Sequence, residues 1–199
     1  MCHLRWLCLL ALAFACGTGL GPAQDKPSQP DPDRADSILS DAPLTIVFRK
    51  VRERPRDGLP REWTYSLNSA GAGELTIEYV PDFSVPARKQ PTRQKFEVPA
   101  AKMDAIRKAL RAERFFNLAE ADGPHWIHGG WTTLAVVAGP LAGTQRLSST
   151  DWGQWNGEQH KAAAPAMRLF VAVCEAVDPD GRVFTELPDV KRIVADLKK

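Results

Sequence analysis

Two neighbouring segments in the first half of the chain alternate apolar and polar residues. The segments are REWTYSL and ELTIEYV, and their alternating apolar residues are Trp63, Tyr65, Leu67, Leu75, Ile77 and Tyr79. A period of two places these side chains on one face of a strand. The stretch NSAGAG between the segments contains residues that tolerate a positive φ. The pattern therefore predicts a β-hairpin.

Other segments carry the composition or the period of regular elements. LTIVFRKV and WTTLAVVA are rich in β-branched residues and are predicted strands, as are the shorter QKFEV and TQRLSS. PAAKMDAIRKALRAERFF places Met103, Ile106 and Leu110 on one helical face. PAMRLFVAVCEAV is a second predicted helix with Cys174 on its apolar face, and LPDVKRIVADLKK is a short terminal one.

The order of these elements is strands, helix, two strands, helix. This order predicts an α+β fold, with an antiparallel sheet of about five to six strands and two main helices packed on one face. We expect the domain to span residues 43–178, followed by a C-terminal extension with a short helix over residues 179–199.

The N-terminal segment MCHLRWLCLLALAFAC is typical of a secretory signal peptide. Two processing routes are open: a signal peptide over residues 1–23, or one over residues 1–15 with Cys16 as a lipidated first residue. AFAC resembles a bacterial lipobox, although Ala13 stands where leucine is usual. We predict an exported protein of the cell envelope (periplasmic or lipid-anchored) or the extracellular space. It would touch a membrane only through the signal or the lipid anchor.

Residues 24–42 are rich in proline, aspartate and serine, and they are predicted to be a disordered tether. Once the signal segment has left, Cys174 is the one cysteine of the folded part, which excludes an intradomain disulfide. Its position on an apolar helical face favours a core residue over a nucleophile.

The overall charge disfavours a nucleic-acid partner. The 199 residues are 44% hydrophobic and 25% charged, and the formal net charge is only +2. Two basic stretches, FRKVRERPR and ARKQPTRQK, are interpreted as solvated loops and strand ends. The alternative is a docking face for an anionic partner.

A doubled phenylalanine and leucine after the first helix, followed by a threonine-rich strand, resembles small bacterial secreted and lipoprotein domains. The residues are Phe115, Phe116, Leu118, Trp131, Thr132, Thr133 and Leu134. Many such domains have no known function. One similar group, the emfourin-like proteins, inhibits thermolysin-type metalloproteases. The resemblance covers residues 44–177 and implies a protein-binding role. The emfourin-like proteins are shorter and lack the proline-rich residues 81–92, so no functional residue is carried over.

The stretch ADGPHWIHGGWTTL raises the question of a metal site. His125 and His128, with His160 and a carboxylate from Asp122 or Asp151, form a conceivable zinc set. However, the sequence contains no H-E-x-x-H motif, and the proline and paired glycines favour a loop. It also lacks a nucleophile elbow and a phosphate-binding fingerprint. We therefore expect no metal, no cofactor and no catalysis.

Four tryptophans lie in or next to the two loops that flank the predicted WTTLAVVA–TQRLSS hairpin. The candidate ligand- or partner-binding residues are Trp126, Trp131, Trp152, Trp155, His125 and His128. Tryptophan is enriched at binding hot spots, although these rings can equally cap the core. Three functions stay open. They are a non-catalytic domain that binds an envelope or secreted protein, such as a protease to be inhibited, a glycan-binding module, and a metal-dependent enzyme.

Overall fold

The computed structural model describes residues 30–52, 55–56, 58–81, 89–118, 130–148 and 156–197. The described strands are β1 (Leu44–Val51), β2 (Pro60–Asn68), β3 (Ala72–Tyr79), β4 (Thr92–Glu97), β5 (Trp131–Ala138) and β6 (Leu141–Ser148). The described helices are α1 (Pro32–Asp41), α2 (Ala100–Ala112), α3 (Gly157–Val177) and α4 (Leu187–Asp196), with a 3-10 turn at Phe115–Asn117.

The strands form one antiparallel sheet of six in the order β4-β3-β2-β1-β5-β6. Strand β1 lies at the centre, because it pairs with β2 on one side and with β5 on the other. The predicted hairpins are both present, as β2 with β3 and β5 with β6. The α+β prediction with an antiparallel sheet is confirmed.

The helices cover one face of this sheet, which we call the inner face. Alternate residues of the central strands are buried there, namely Leu44, Ile46, Phe48, Trp63, Tyr65, Leu67, Leu134, Val136 and Ala138. The predicted apolar stripe of α2 packs into the same core. So does the apolar face of α3, which includes Met167 and Cys174. Residues between them, such as Thr45 and Ser66, point to an open face where they are exposed.

The prediction of a disordered tether is wrong for residues 32–41. This segment is helix α1, begun by Asp31, whose side chain accepts the Asp33 amide hydrogen, and by proline in the first turn. Ala35 and Leu39 are buried in the core. A hydrogen bond from α2 also anchors the helix, because the Arg107 guanidinium donates to the Leu39 carbonyl at 2.7 Å. The predicted signal peptide, Cys16 and the first part of the tether lie outside the described residues.

The predicted boundary at residue 178 is also wrong. The predicted terminal helix is present as α4, but the segment after α3 belongs to the core. Phe184, Leu187 and Val190 are buried there, so residues 179–197 complete the domain rather than extend it.

Helix α3 begins earlier than the apolar pattern predicts. Asn156 and Gln159 form a capping box, which starts the helix at Gly157. Pro165, the first residue of the predicted helix PAMRLFVAVCEAV, therefore lies inside the observed one. Within the described ranges, no helix combines the length and apolarity needed to cross a membrane.

The assignment of α1 to the core is tested by truncating its buried leucine. Leu39 is 1% exposed, so Leu39→Ala should lower the free energy of unfolding by about 2–5 kcal/mol. Denaturant unfolding measures the loss, and Ser37→Ala on the exposed side of the same helix is the matched control. Equal stability of the two variants would show that this segment is a tether after all.

Candidate functional site

The two ends of the sheet carry connections of very different length. At one end, tight turns at residues 69–70 and 139–140 join β2 to β3 and β5 to β6. At the opposite end, β1, β3 and β6 finish and β2, β4 and β5 begin. We call this second end the loop end. Connections over residues 52–59, 80–91, 118–130 and 149–156 all start or finish there.

Trp131 is the one predicted binding residue that the structure describes. It is the first residue of β5, at the loop end, where it lies opposite Val51 of β1 and Ser148 of β6. Its side chain is half-buried and belongs to the open face, the face of Thr133. The chain therefore enters β5 and leaves β6 at adjacent points, as the hairpin prediction requires.

The other predicted site residues lie outside the described part of the chain. They are His125, His128, Trp126, Trp152, Trp155 and Cys16. Their positions relative to one another are therefore not described, and the glycan-binding hypothesis stays a prediction. What the structure does show is where the strands that carry the two tryptophan loops begin and end.

The metal hypothesis is in the same position. His160 lies in the first turn of α3, whereas the other two histidines fall in the undescribed residues 119–129. Among the residues that the structure does describe, no three His, Cys, Asp or Glu side chains come together as a metal site. The set of three imidazoles is therefore untested.

The connection into β5 passes very close to the end of β1. At Gly130, a Cβ atom would overlap the Val51 carbonyl oxygen and lie 2.9 Å from the Arg52 Cα. Both neighbours are backbone, so a side chain would force the strands apart. Of the two glycines in the HGG sequence, Gly130 is thus required by close packing, and it sets where the histidine loop joins the sheet.

A buried ion pair reinforces the loop end on the inner face. Lys50 is 6% exposed, and its ammonium group donates to both carboxylate oxygens of Glu186 at 2.8 and 2.9 Å. It also donates to the Val183 carbonyl at 2.9 Å and lies 5.1 Å from the centre of the Phe184 ring. All three ammonium hydrogens are used, which a buried lysine requires.

The interpretation of this basic stretch as solvated loops and strand ends is wrong for Lys50, which is buried. Arg49 forms a two-pronged ion pair with Glu62 on the open face, with one bond of 2.6 Å. The Arg52 guanidinium stacks over the Trp63 ring at 4.8 Å from its centre. Each of these three cations has a partner within the fold, whereas Arg56 of the same stretch is exposed.

Beside the ion pair lies an open groove of about 370 Å³. Its lining residues are Lys50, Val51, Arg52, Gly130, Thr185, Glu186 and Asp189. The groove therefore joins the end of β1, the start of β5 and the segment before α4. Because the 118–130 connection passes through Gly130, the groove adjoins the point where the predicted histidine–tryptophan loop enters the sheet.

Cys174 has no place in this site. It is fully buried in α3, and burial raises the pKa of its thiol well above the ordinary value. A thiol held in its neutral form is a poor nucleophile, so the interpretation as a core residue agrees with the structure.

Of the two residues in this ion pair, the local pattern could have placed Lys50 but not Glu186. Lys50 continues the spacing of Leu44, Ile46 and Phe48, and this period of two is the signal that places it on the inner face. Glu186, its partner, is 136 positions away along the chain, and no local signal connects the two.

No known protein family matches the chain, and no curated protein matches it. The loop end must therefore be interpreted from its own residues.

The close approach at Gly130 is tested by adding a methyl group. Gly130→Ala should lower the free energy of unfolding by more than about 1 kcal/mol, because the new Cβ meets only backbone. Gly157→Ala is the matched control, since a Cβ there would meet no atom within 4 Å. Denaturant unfolding compares the two. A Gly130 variant as stable as the Gly157 variant contradicts the described strand approach.

Proposed function

We propose that this protein is a non-catalytic, exported domain that binds a protein partner through its loop end, such as a protease that it inhibits. The observation that carries the proposal is the convergence of the long connections at one end of the sheet, against tight turns at the other. Binding residues are commonly carried by loops that a rigid scaffold positions.

The scaffold beneath these loops is well suited to recognition. The Lys50–Glu186 pair, the Arg52–Trp63 stack and the close approach at Gly130 hold the strand ends that the loops leave. A fixed base lowers the ordering cost that binding would otherwise carry.

Composition supports a protein partner at this end. Three tryptophans precede or follow the β5–β6 hairpin within the two adjoining connections, and Trp131 begins β5. Tryptophan is among the residues most enriched at binding hot spots. Leu59, also in a loop-end connection, is 45% exposed and adds apolar surface there.

Exposed apolar residues at opposite ends of the sheet provide a matched test. Leu59 lies at the loop end, and Val137 lies on the open face near the turn end with 40% exposure. The tagged full chain is mixed with an envelope extract of its source and cross-linked. We expect a defined protein to be retained by the wild type and by Val137→Thr, but several-fold less by Leu59→Thr.

A retained protein is then purified and titrated against the same three chains and against a Trp126→Ala variant. If it is a protease, hydrolysis of a peptide substrate should fall as the wild-type chain is added, and fall less with Leu59→Thr or Trp126→Ala. Circular dichroism verifies that each variant is folded. Retention that is equally strong for the Leu59 and Val137 variants, or no retention at all, argues against a binding role for the loop end.

A further inference from the structure

Strand β4 forms one edge of the sheet. In the described sheet it pairs with β3 alone, over a register that runs from Ala72 opposite Glu97 to Ile77 opposite Thr92. An edge strand presents main-chain hydrogen-bonding groups that a further strand can use. We call the outward side of β4 the β4 edge.

The register determines which residues point their main-chain groups to this edge. The Val98 amide donates to the Gly71 carbonyl at 2.8 Å, so the main-chain groups of residue 98 point towards the β3 side. Successive residues of a strand point their amide and carbonyl groups to opposite sides. Gln94 and Phe96 therefore bond to β3, and the main-chain groups of Arg93 and Lys95 point to the β4 edge.

A groove of about 340 Å³ adjoins this edge on the inner face. The floor is apolar and only half-buried, and it is formed by Leu75, Ile77 and Phe96. The Phe96 ring is fixed edge-to-face against Tyr65, with 5.8 Å between the ring centres. Residues of the segment that follows α3 line the far side, including Pro179.

The groove is the size of a few side chains and lies where an added strand would need it. Neighbouring strands are about 4.8 Å apart, and alternate side chains of an added strand point to the inner face. A peptide paired with β4 would therefore place every second side chain over the apolar floor.

The charges along the edge select the kind of peptide. Arg93, Lys95 and Glu97 are the charged residues of β4, and all three are exposed. Glu74 of β3 lies opposite Lys95 in the register and 4.0 Å from the Arg93 side chain, and an exposed pair of this kind contributes little. Lys95 is exposed on the open face, where the outward side chains of an added strand would lie.

The remaining charged groups at the groove are already paired. Asp180 and Arg182 lie 3.0 Å apart at the rim. The Asp178 carboxylate accepts three main-chain hydrogen bonds from residues 182–184. An added strand would lie directly beside β4, whose own charged residues are two bases, Arg93 and Lys95, and one acid, Glu97.

We propose that the β4 edge and its groove bind an extended acidic peptide segment of a partner protein, added to the sheet as a seventh strand. Main-chain bonds to Arg93 and Lys95 supply affinity, apolar side chains enter the groove, and acidic side chains face the two bases. This is the strand-addition mode of peptide recognition. The surface differs from the loop-end surface and does not depend on it.

A second copy of this chain fits the edge less well than an acidic peptide in the register that sets Arg93 opposite Lys95. Two β4 edges paired with each other would bring the Arg93 and Lys95 side chains of both copies onto one face. Like charges on opposing strands destabilise the pairing, whereas opposite charges stabilise it.

The probe is a blocked, labelled octapeptide of alternating glutamate and valine, and the control peptide has lysine in place of glutamate. Binding to the full chain is measured by fluorescence anisotropy at low salt. Lys95→Ala keeps the outward amide but removes the charge, whereas Lys95→Pro removes both. We expect the glutamate peptide alone to bind, Lys95→Ala to bind it more weakly, and Lys95→Pro to lose about fivefold or more beyond Lys95→Ala.

Amide exchange in the wild-type chain gives a second test that needs no variant. On binding, the amides of Arg93 and Lys95 should become protected from exchange, while those of Gln94 and Phe96 are protected already. The proposal is overturned if the two peptides bind alike or not at all, if proline and alanine at position 95 have the same effect, or if the Arg93 and Lys95 amides stay unprotected in the complex.

Discussion

One buried carboxylate directs the chain after α3, the longest of the described helices, and several features of the fold depend on it. Asp178 follows α3 and accepts the amide hydrogens of Arg182, Val183 and Phe184 at 2.8 to 3.0 Å. Three donors compensate the cost of burying its charge, so the turn that they form is tightly defined. Because of this turn, the Phe184 ring enters the core, where it stacks on Phe48 with 4.7 Å between ring centres.

The same turn positions the inner side of the loop end. It fixes the Val183 carbonyl and leads directly to Glu186, and these two groups hold Lys50 at the end of the central strand. It also provides the far wall of the groove beside β4. A substitution of Asp178 would therefore disturb both proposed binding surfaces. Its carboxylate would not contact either partner directly, because it is occupied by the three amides.

Periodicity, together with β-branched composition for β5 and turn residues for the hairpin, was sufficient for the parts of the fold that bury a full face. The β2–β3 hairpin, β5 and the stripe of α2 each carry several apolar residues at the right spacing, and each is present. Helix α1 was missed because it buries only Ala35 and Leu39, too few for a period to stand out among polar residues. Its position depends on Arg107, a distant partner that sequence patterns do not reveal.

The sequence predicts where the candidate site lies on the sheet, but not which side-chain contacts form it. The hairpin prediction correctly puts the entry to β5 and the exit from β6 at one end, because antiparallel neighbours share their ends. The start of α3 was also readable in principle from Asn156 and Gln159, the capping pair. The Lys50–Glu186 pair could not be predicted, because its two residues are 136 positions apart and meet only through the turn that Asp178 stabilises.

The central claim is that the loop-end tryptophans form a recognition surface rather than a cap over the core. Fluorine NMR of the chain labelled with 5-fluorotryptophan, in the presence of a soluble paramagnetic quencher, tests it most directly. Single tryptophan-to-phenylalanine variants assign the signals, and Trp63, which is 7% exposed, is the internal buried reference. The account predicts strong broadening for Trp126, Trp152 and Trp155. Signals from these three that resist the quencher as well as Trp63 does would contradict it.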